Sequence, residues 1–146
     1  MGMALYCLVG LNLQAASDPK TAIRKSDRIT PKSLVAILAS KSGATKPSLI
    51  HVGFLELYRQ GHIPSSVYAG PGSTPEGLKK LKDSATSLSR SQPLVIYCGC
   101  CPWKDCPNVI PAYKLLTDMG FKKIQVLEMQ RSFGLDWADK GYPTVK

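Results

Sequence analysis

The chain predicts an α/β domain in which a mostly parallel sheet is covered on both faces by helices. Three observations carry this. Short apolar runs of strand length, at 48–52, 94–97 and 124–127, alternate with segments whose apolar residues recur at helical spacing. Two helix starts repeat one signature, a threonine cap followed by proline, at Thr30-Pro31 and Thr74-Pro75. The run Leu94-Val95-Ile96-Tyr97 is apolar on both of its alternating faces, as a strand buried on both sides must be.

The 146 residues suffice for one compact domain with a real core, and 44% apolar against 20% charged content makes it globular rather than disordered. The net charge is +9, spread from Lys20 to Lys146 with short clusters at Lys79-Lys80-Lys82 and Lys122-Lys123. No basic run is interleaved with aromatics, so no nucleic-acid partner is expected. The spread of charge describes a solvated basic surface, attractive to small anions or acidic proteins.

Residues 3–16 carry no charge, and 4–11 are apolar. That is well short of the ~20 residues that span a bilayer. Small residues follow at Ala15-Ala16-Ser17, so residues 1–16 are read as a signal peptide, although no basic residue precedes the apolar run. The expected location is periplasmic or secreted, with no stable membrane association after removal of the signal. The alternative is a cytoplasmic protein that buries this segment. Residues 17–27 are polar and are read as a linker, and 28–146 as the folded domain.

Within the domain, Arg28-Ile29 leads into a helix that Leu34, Ile37 and Leu38 carry to Ala39. A strand follows at 48–52, then a short helix at 54–60 stopped by Gly61, and a strand at 66–69. The next helix starts at Thr74-Pro75 and runs towards Leu88. The central strand Leu94–Tyr97 leads into a loop, and Asn108 caps a helix over 109–119 ended by Gly120. A last strand covers 124–127. A loop and short helix at 131–140 turn Trp137 inward.

Chemistry concentrates in the loop. Cys98, Cys100, Cys101 and Cys106 are four of the five cysteines, packed into nine residues at the end of the central strand. Active sites in parallel α/β folds lie at the carboxyl ends of strands. Thiols gathered there point to a thiolate nucleophile, a redox couple or a soft-metal site. Cys98 is the nucleophile candidate, because the strand ends on it. Positive potential for its thiolate would come from loop N–H groups, from the following helix N-terminus and from Lys104. Cys100, Cys101 and Cys106 have three readings. One could be a resolving thiol for Cys98. Together they offer soft ligands for Zn or Cu(I), without the paired Cys-x-x-Cys knuckles of structural zinc sites. A Cys101–Cys106 disulfide could clamp the loop. Trp103 is read as the lid of the loop, His62 as a turn histidine bonded to the backbone, and His51 as a core residue near the site.

From Arg28 to Lys146 the ordered motifs resemble a single rhodanese-like (sulfurtransferase) domain. The similar stretches are Ile29-Thr30-Pro31 with its Leu-bearing helix, Leu49-Ile50-His51-Val52, Gly61-His62-Ile63-Pro64, Val95-Ile96-Tyr97-Cys98, Gly120-Phe121, and Trp137 with Gly141-Tyr142-Pro143. The chain departs from the family pattern in having His51 where Asp is usual, Gly53 where Arg is usual, a longer cysteine loop, and Gln130 to Gly134 in place of a Gly-Gly pair. The resemblance implies a three-layer α/β/α fold and an enzyme. The enzyme moves sulfane sulfur from thiosulfate or a persulfide donor to a thiol acceptor, through a persulfide on Cys98. Gly99, Cys100, Cys101, Trp103 and Lys104 would line the substrate. No cofactor and no metal are expected. The partners are a small sulfur-containing anion and a small or protein thiol. A thiol-disulfide redox or metal- or partner-binding module on the same fold is the alternative. The Cys98-to-Lys104 spacing also resembles a phosphatase or arsenate-reductase loop, in which Arg normally binds the oxyanion.

Overall fold

The computed structural model describes residues 23–146. The expected signal peptide and residues 17–22 of the expected linker lie outside them. The strands are β1 (Arg28–Ile29), β2 (Ser48–His51), β3 (Val67–Tyr68), β4 (Leu94–Tyr97) and β5 (Ile124–Leu127). The helices are α1 (Pro31–Ala39), α2 (Leu55–Gln60), α3 (Pro75–Thr86), α4 (Val109–Asp118) and α5 (Phe133–Asp136). The strands form one five-stranded sheet in the order β1-β5-β4-β2-β3, every pair parallel.

β4 lies at the centre, and all four of its residues are buried. Its two-residue period divides the core. Leu94 and Ile96 join Ile50, Ile124 and Val126 on one face, under Leu81 and Ala85 of α3 and Ala112 and Leu116 of α4. Val95 and Tyr97 join Leu49, Leu127 and Ile29 on the other, with Leu34 of α1 and Trp137. A sheet enclosed on both faces explains why its strands read as unbroken apolar runs. Among the described residues, no helix is long and apolar enough to cross a membrane.

Both Thr-Pro helix starts form as expected: Thr30 Oγ1 accepts from the Ser33 N–H at 3.2 Å and Thr74 Oγ1 from the Gly77 N–H at 3.0 Å. The lead-in to α1 is different. Arg28–Ile29 is an edge strand, paired with Val126 and Leu127 of β5. Two residues are too few to show a period, and their partners lie near the other end of the chain. Ile23, within the expected linker, is buried in the core, and Asp27 accepts a 2.6 Å hydrogen bond from the Tyr113 hydroxyl of α4.

The carboxyl-terminal segment folds back beneath the sheet. Trp137 is fully buried, and its ring N–H donates to the Pro143 carbonyl at 2.9 Å. His62 pairs with Val145 in an antiparallel bridge, and its Nδ1 lies 2.8 Å from the Tyr58 carbonyl oxygen. A cavity of about 600 Å³, lined mainly by apolar residues of α1, β2 and the segment 63–67, holds none of the loop cysteines.

Candidate functional site

β4 ends at Tyr97, and Cys98 follows it directly with its side chain buried. Hydrogen bonds from Val52 N–H to the Tyr97 carbonyl (2.8 Å) and from Gly72 N–H to the Val52 carbonyl (2.9 Å) continue the ladder beyond the strands and fix the floor of the site. The next residue turns the chain. Gly99 has φ +88°, a left-handed backbone that glycine adopts without strain. A Cβ there would stand 2.8 Å from Phe133 Cβ, and Phe133 N–H donates to the Gly99 carbonyl at 3.0 Å. Further along, Trp103 N–H donates to the Met129 carbonyl at 2.9 Å. The indole is buried in the same core cluster as Cys98 and Cys106, with the Arg28 guanidinium over its ring. Trp103 is therefore a root of the loop rather than its lid.

These anchors gather the sulfurs. Cys98 Sγ lies 3.3 Å from Cys100 Sγ, which lies 2.9 Å from Cys101 Sγ and 3.8 Å from Cys106 Sγ. Cys98 and Cys106 are buried, Cys101 is half-buried, and Cys100 is exposed. All four are free thiols, so of the three readings the Cys101–Cys106 clamp is not formed here. The sulfurs of Cys98, Cys100 and Cys106 lie within 4.8 Å of one another and form the one group of at least three potential metal ligands among the described residues.

The sequence predicts a helix cap at Asn108. The residue makes no capping side-chain bond and is fully buried. Its Nδ2 donates to Cys98 Sγ at 3.3 Å, while its Oδ1 accepts from the Ser73 N–H at 3.0 Å. An Asn just before a helix signals a cap in any sequence; only folding of the loop shows that its amide faces a sulfur.

The Cys98 thiolate is stabilised by several donors. The Cys106 thiol is the strongest, and burial opposes it; the backbone and thiol of Cys100 and the Asn108 amide add to it. Together they bring the Cys98 thiol down to about 6. The neighbours move the other way. Donation to the Cys98 thiolate, together with burial, raises the Cys106 thiol. Burial and the adjacent Cys101 and Cys98 sulfurs raise Cys100 to about 12. The cluster therefore concentrates its negative charge on Cys98.

Lys104 is not among the groups holding the thiolate. It lines a separate shallow cleft with Arg24, Lys25 and Arg28. The short 3₁₀ turn Trp103–Asp105 carries Lys104 to that cleft.

His51 and Gly53 wall the site. His51 is buried, and its Nδ1 accepts from the Gly53 N–H at 3.2 Å. Burial brings the imidazole down to about 4, and a hydrogen bond with the Cys98 backbone only partly opposes this. The ring is therefore neutral near pH 7. A Cβ on Gly53 would stand 2.7 Å from Cys98 Sγ and 2.9 Å from His51 Cε1. The backbone at Gly53 thus lies against the nucleophile, in the place where the resembling family usually carries Arg. Buried, hydrogen-bonded and with its thiol brought down to about 6, Cys98 is equipped to act as a nucleophile.

The family model described as rhodanese-like domain matches residues 31–129. Among solved structures, the rhodanese-like domain of the Alr3790 protein from Anabaena sp., determined in solution, is 22% identical over 82% of this chain and 78% of that chain, with TM-score 0.58. The BH2092 protein from Bacillus halodurans is 20% identical over 82% of this chain and 77% of that chain, with TM-score 0.61. A variant of EanB in complex with hercynine is 21% identical, covering 85% of this chain but 28% of that chain, with TM-score 0.57. At these identities the likeness shows the fold. No curated protein matches the chain.

Proposed function

The chain belongs to the rhodanese-like domain family, and from that premise we propose that it is a sulfurtransferase with Cys98 as its nucleophile. The Cys98 thiolate attacks the sulfane sulfur of thiosulfate or a persulfide donor. A new S–S bond forms to Cys98. The donor's own S–S bond breaks, and with thiosulfate, sulfite leaves with the electron pair. The resulting persulfide gives its outer sulfur to a thiol acceptor, which regenerates the Cys98 thiolate. Supporting this most directly is the set of donors around Cys98, which lowers its thiol to about 6 and makes it the thiolate of the cluster at neutral pH.

The test is a single turnover of fully reduced protein with thiosulfate. Sulfite is expected in an amount equal to the protein, and Cys98→Ser is expected to release none. Sulfite release by Cys98→Ser at the wild-type rate would sink the assignment. The grouping of Cys98, Cys100 and Cys106 sulfurs within 4.8 Å supports a second reading, a soft-metal thiolate site. Stoichiometric Zn or Cu in anaerobically purified protein, lost on Cys106→Ser, would favour it over sulfur transfer.

A further inference from the structure

We propose that Cys100 is the resolving thiol of the site, so that the chain reduces the sulfur it takes up and releases it as hydrogen sulfide. This rests on the sulfur-transfer reading and assigns the fate of the persulfide.

The distance selects the sulfur that is attacked. Cys100 Sγ lies 3.3 Å from Cys98 Sγ, the atom that becomes the inner sulfur of a persulfide. Thiol–disulfide exchange needs the attacking sulfur, the attacked sulfur and the leaving sulfur close to a line. With an S–S bond of about 2.05 Å, attack on the outer sulfur would require Cys100 Sγ to stand beyond it, roughly 5 Å from Cys98 Sγ. At 3.3 Å it is placed instead for the inner sulfur, with the outer sulfur leaving on the far side. Gly99, at φ +88°, is the turn that lets residues 98 and 100 present their sulfurs to each other. Exposure divides the labour in the same way. Cys98 is buried and protects the persulfide, whereas Cys100 is exposed, so a disulfide including it is open to an external reductant. Cys106 is less suited, because it is buried and a disulfide between it and Cys98 would be closed to an external reductant.

The step balances without an oxidant. The Cys98 persulfide anion and the Cys100 thiol become a Cys98–Cys100 disulfide and hydrosulfide. The two cysteines are oxidised by two electrons, and the transferred sulfur is reduced. As Cys100 attacks, its proton passes to the outer sulfur, which leaves as hydrosulfide. With thiosulfate as donor, the sum is thiosulfate plus two thiols giving sulfite, hydrogen sulfide and one disulfide. An external thiol or dithiol reductant then restores the two thiols.

The experiment uses the full chain, reduced and freed of reductant, mixed with thiosulfate under anaerobic conditions. Sulfite, sulfide, protein mass and the position of any disulfide are read together. Wild type is expected to release sulfite and an equal amount of sulfide, and to lose two hydrogens in a disulfide mapped to Cys98–Cys100. Cys100→Ser and Cys100→Ala are expected to release sulfite but no sulfide, and to keep a cyanide-removable sulfur on Cys98. Sulfite without sulfide from wild type, with the extra sulfur retained, would overturn the inference while leaving the sulfur-transfer reading intact. A disulfide mapped to Cys98–Cys106, with sulfide release surviving in both Cys100 variants, would also overturn it. Absence of sulfite from wild type and variants alike would overturn both.

Discussion

Asn108 makes the most discriminating prediction, because one buried amide serves two partners. Its Nδ2 donates to Cys98 Sγ at 3.3 Å, and its Oδ1 accepts from the Ser73 N–H at 3.0 Å. A hydrogen bond to a charged group contributes about 1.5–3 kcal/mol, which corresponds to roughly 1–2 pH units in the ionisation of the thiol. Asn108→Ala should therefore move the Cys98 midpoint from about 6 to roughly 7–8. The same change leaves the Ser73 N–H without its acceptor and should cost about 1–3 kcal/mol of stability. Asn108→Asp separates the two effects. Its carboxylate still accepts from Ser73 but stands beside the Cys98 thiolate. At that separation like charges repel by about 5 kcal/mol with an effective dielectric of 20, so the midpoint should rise at least as far as in Asn108→Ala, with the Ser73 bond kept. The assay is the pH dependence of alkylation at Cys98 by iodoacetamide, followed on the Cys98 peptide by mass. The midpoint is the quantity to compare, not the rate at one pH, because a more basic thiolate is intrinsically more nucleophilic and offsets its smaller population. A midpoint within about half a unit of wild type in both variants would refute the claim that the amide holds the thiolate.

Gly53→Ala would press a methyl group to 2.7 Å from Cys98 Sγ and 2.9 Å from His51 Cε1, so it should cost about 1–3 kcal/mol in urea unfolding and slow sulfite release together with it. His51 is neutral when folded, because its imidazole is held at about 4 against an ordinary 6.5. The stability this contributes is complete above pH 6.5 and is lost as pH falls towards 4, by about 3 kcal/mol. Unfolding midpoints across that window should follow the loss in wild type and flatten in His51→Gln. Tyr97 OH lies 2.7 Å from Ser66 Oγ and accepts from the buried Ile63 N–H at 3.1 Å. Tyr97→Phe should therefore destabilise by about 1–3 kcal/mol, and unchanged thermal and urea unfolding would contradict it.

The chain by itself determined its periodic and local features. The α/β class, the bounds of β4 and β5, both Thr-Pro helix starts and the place of Cys98 at the end of the central strand were legible because each rests on neighbours within a few residues. Tertiary structure decided the partnerships. β1 exists because β5 provides a ladder for two residues too short to show a pattern. Trp103 became an anchor because Met129 accepts its N–H and Arg28 covers its ring. Asn108 turned from cap to thiolate donor, and Lys104 went to the cleft of Arg24, Lys25 and Arg28, because the loop's path is set by contacts from 129 and 133. Four cysteines in nine residues announce chemistry, but their spacing leaves them equivalent. They become unequal when folding buries Cys98 among hydrogen-bond donors and leaves Cys100 in solvent 3.3 Å away. The ionisation of a thiol depends on the donors and burial around it, and those come from parts of the chain that meet only when it folds.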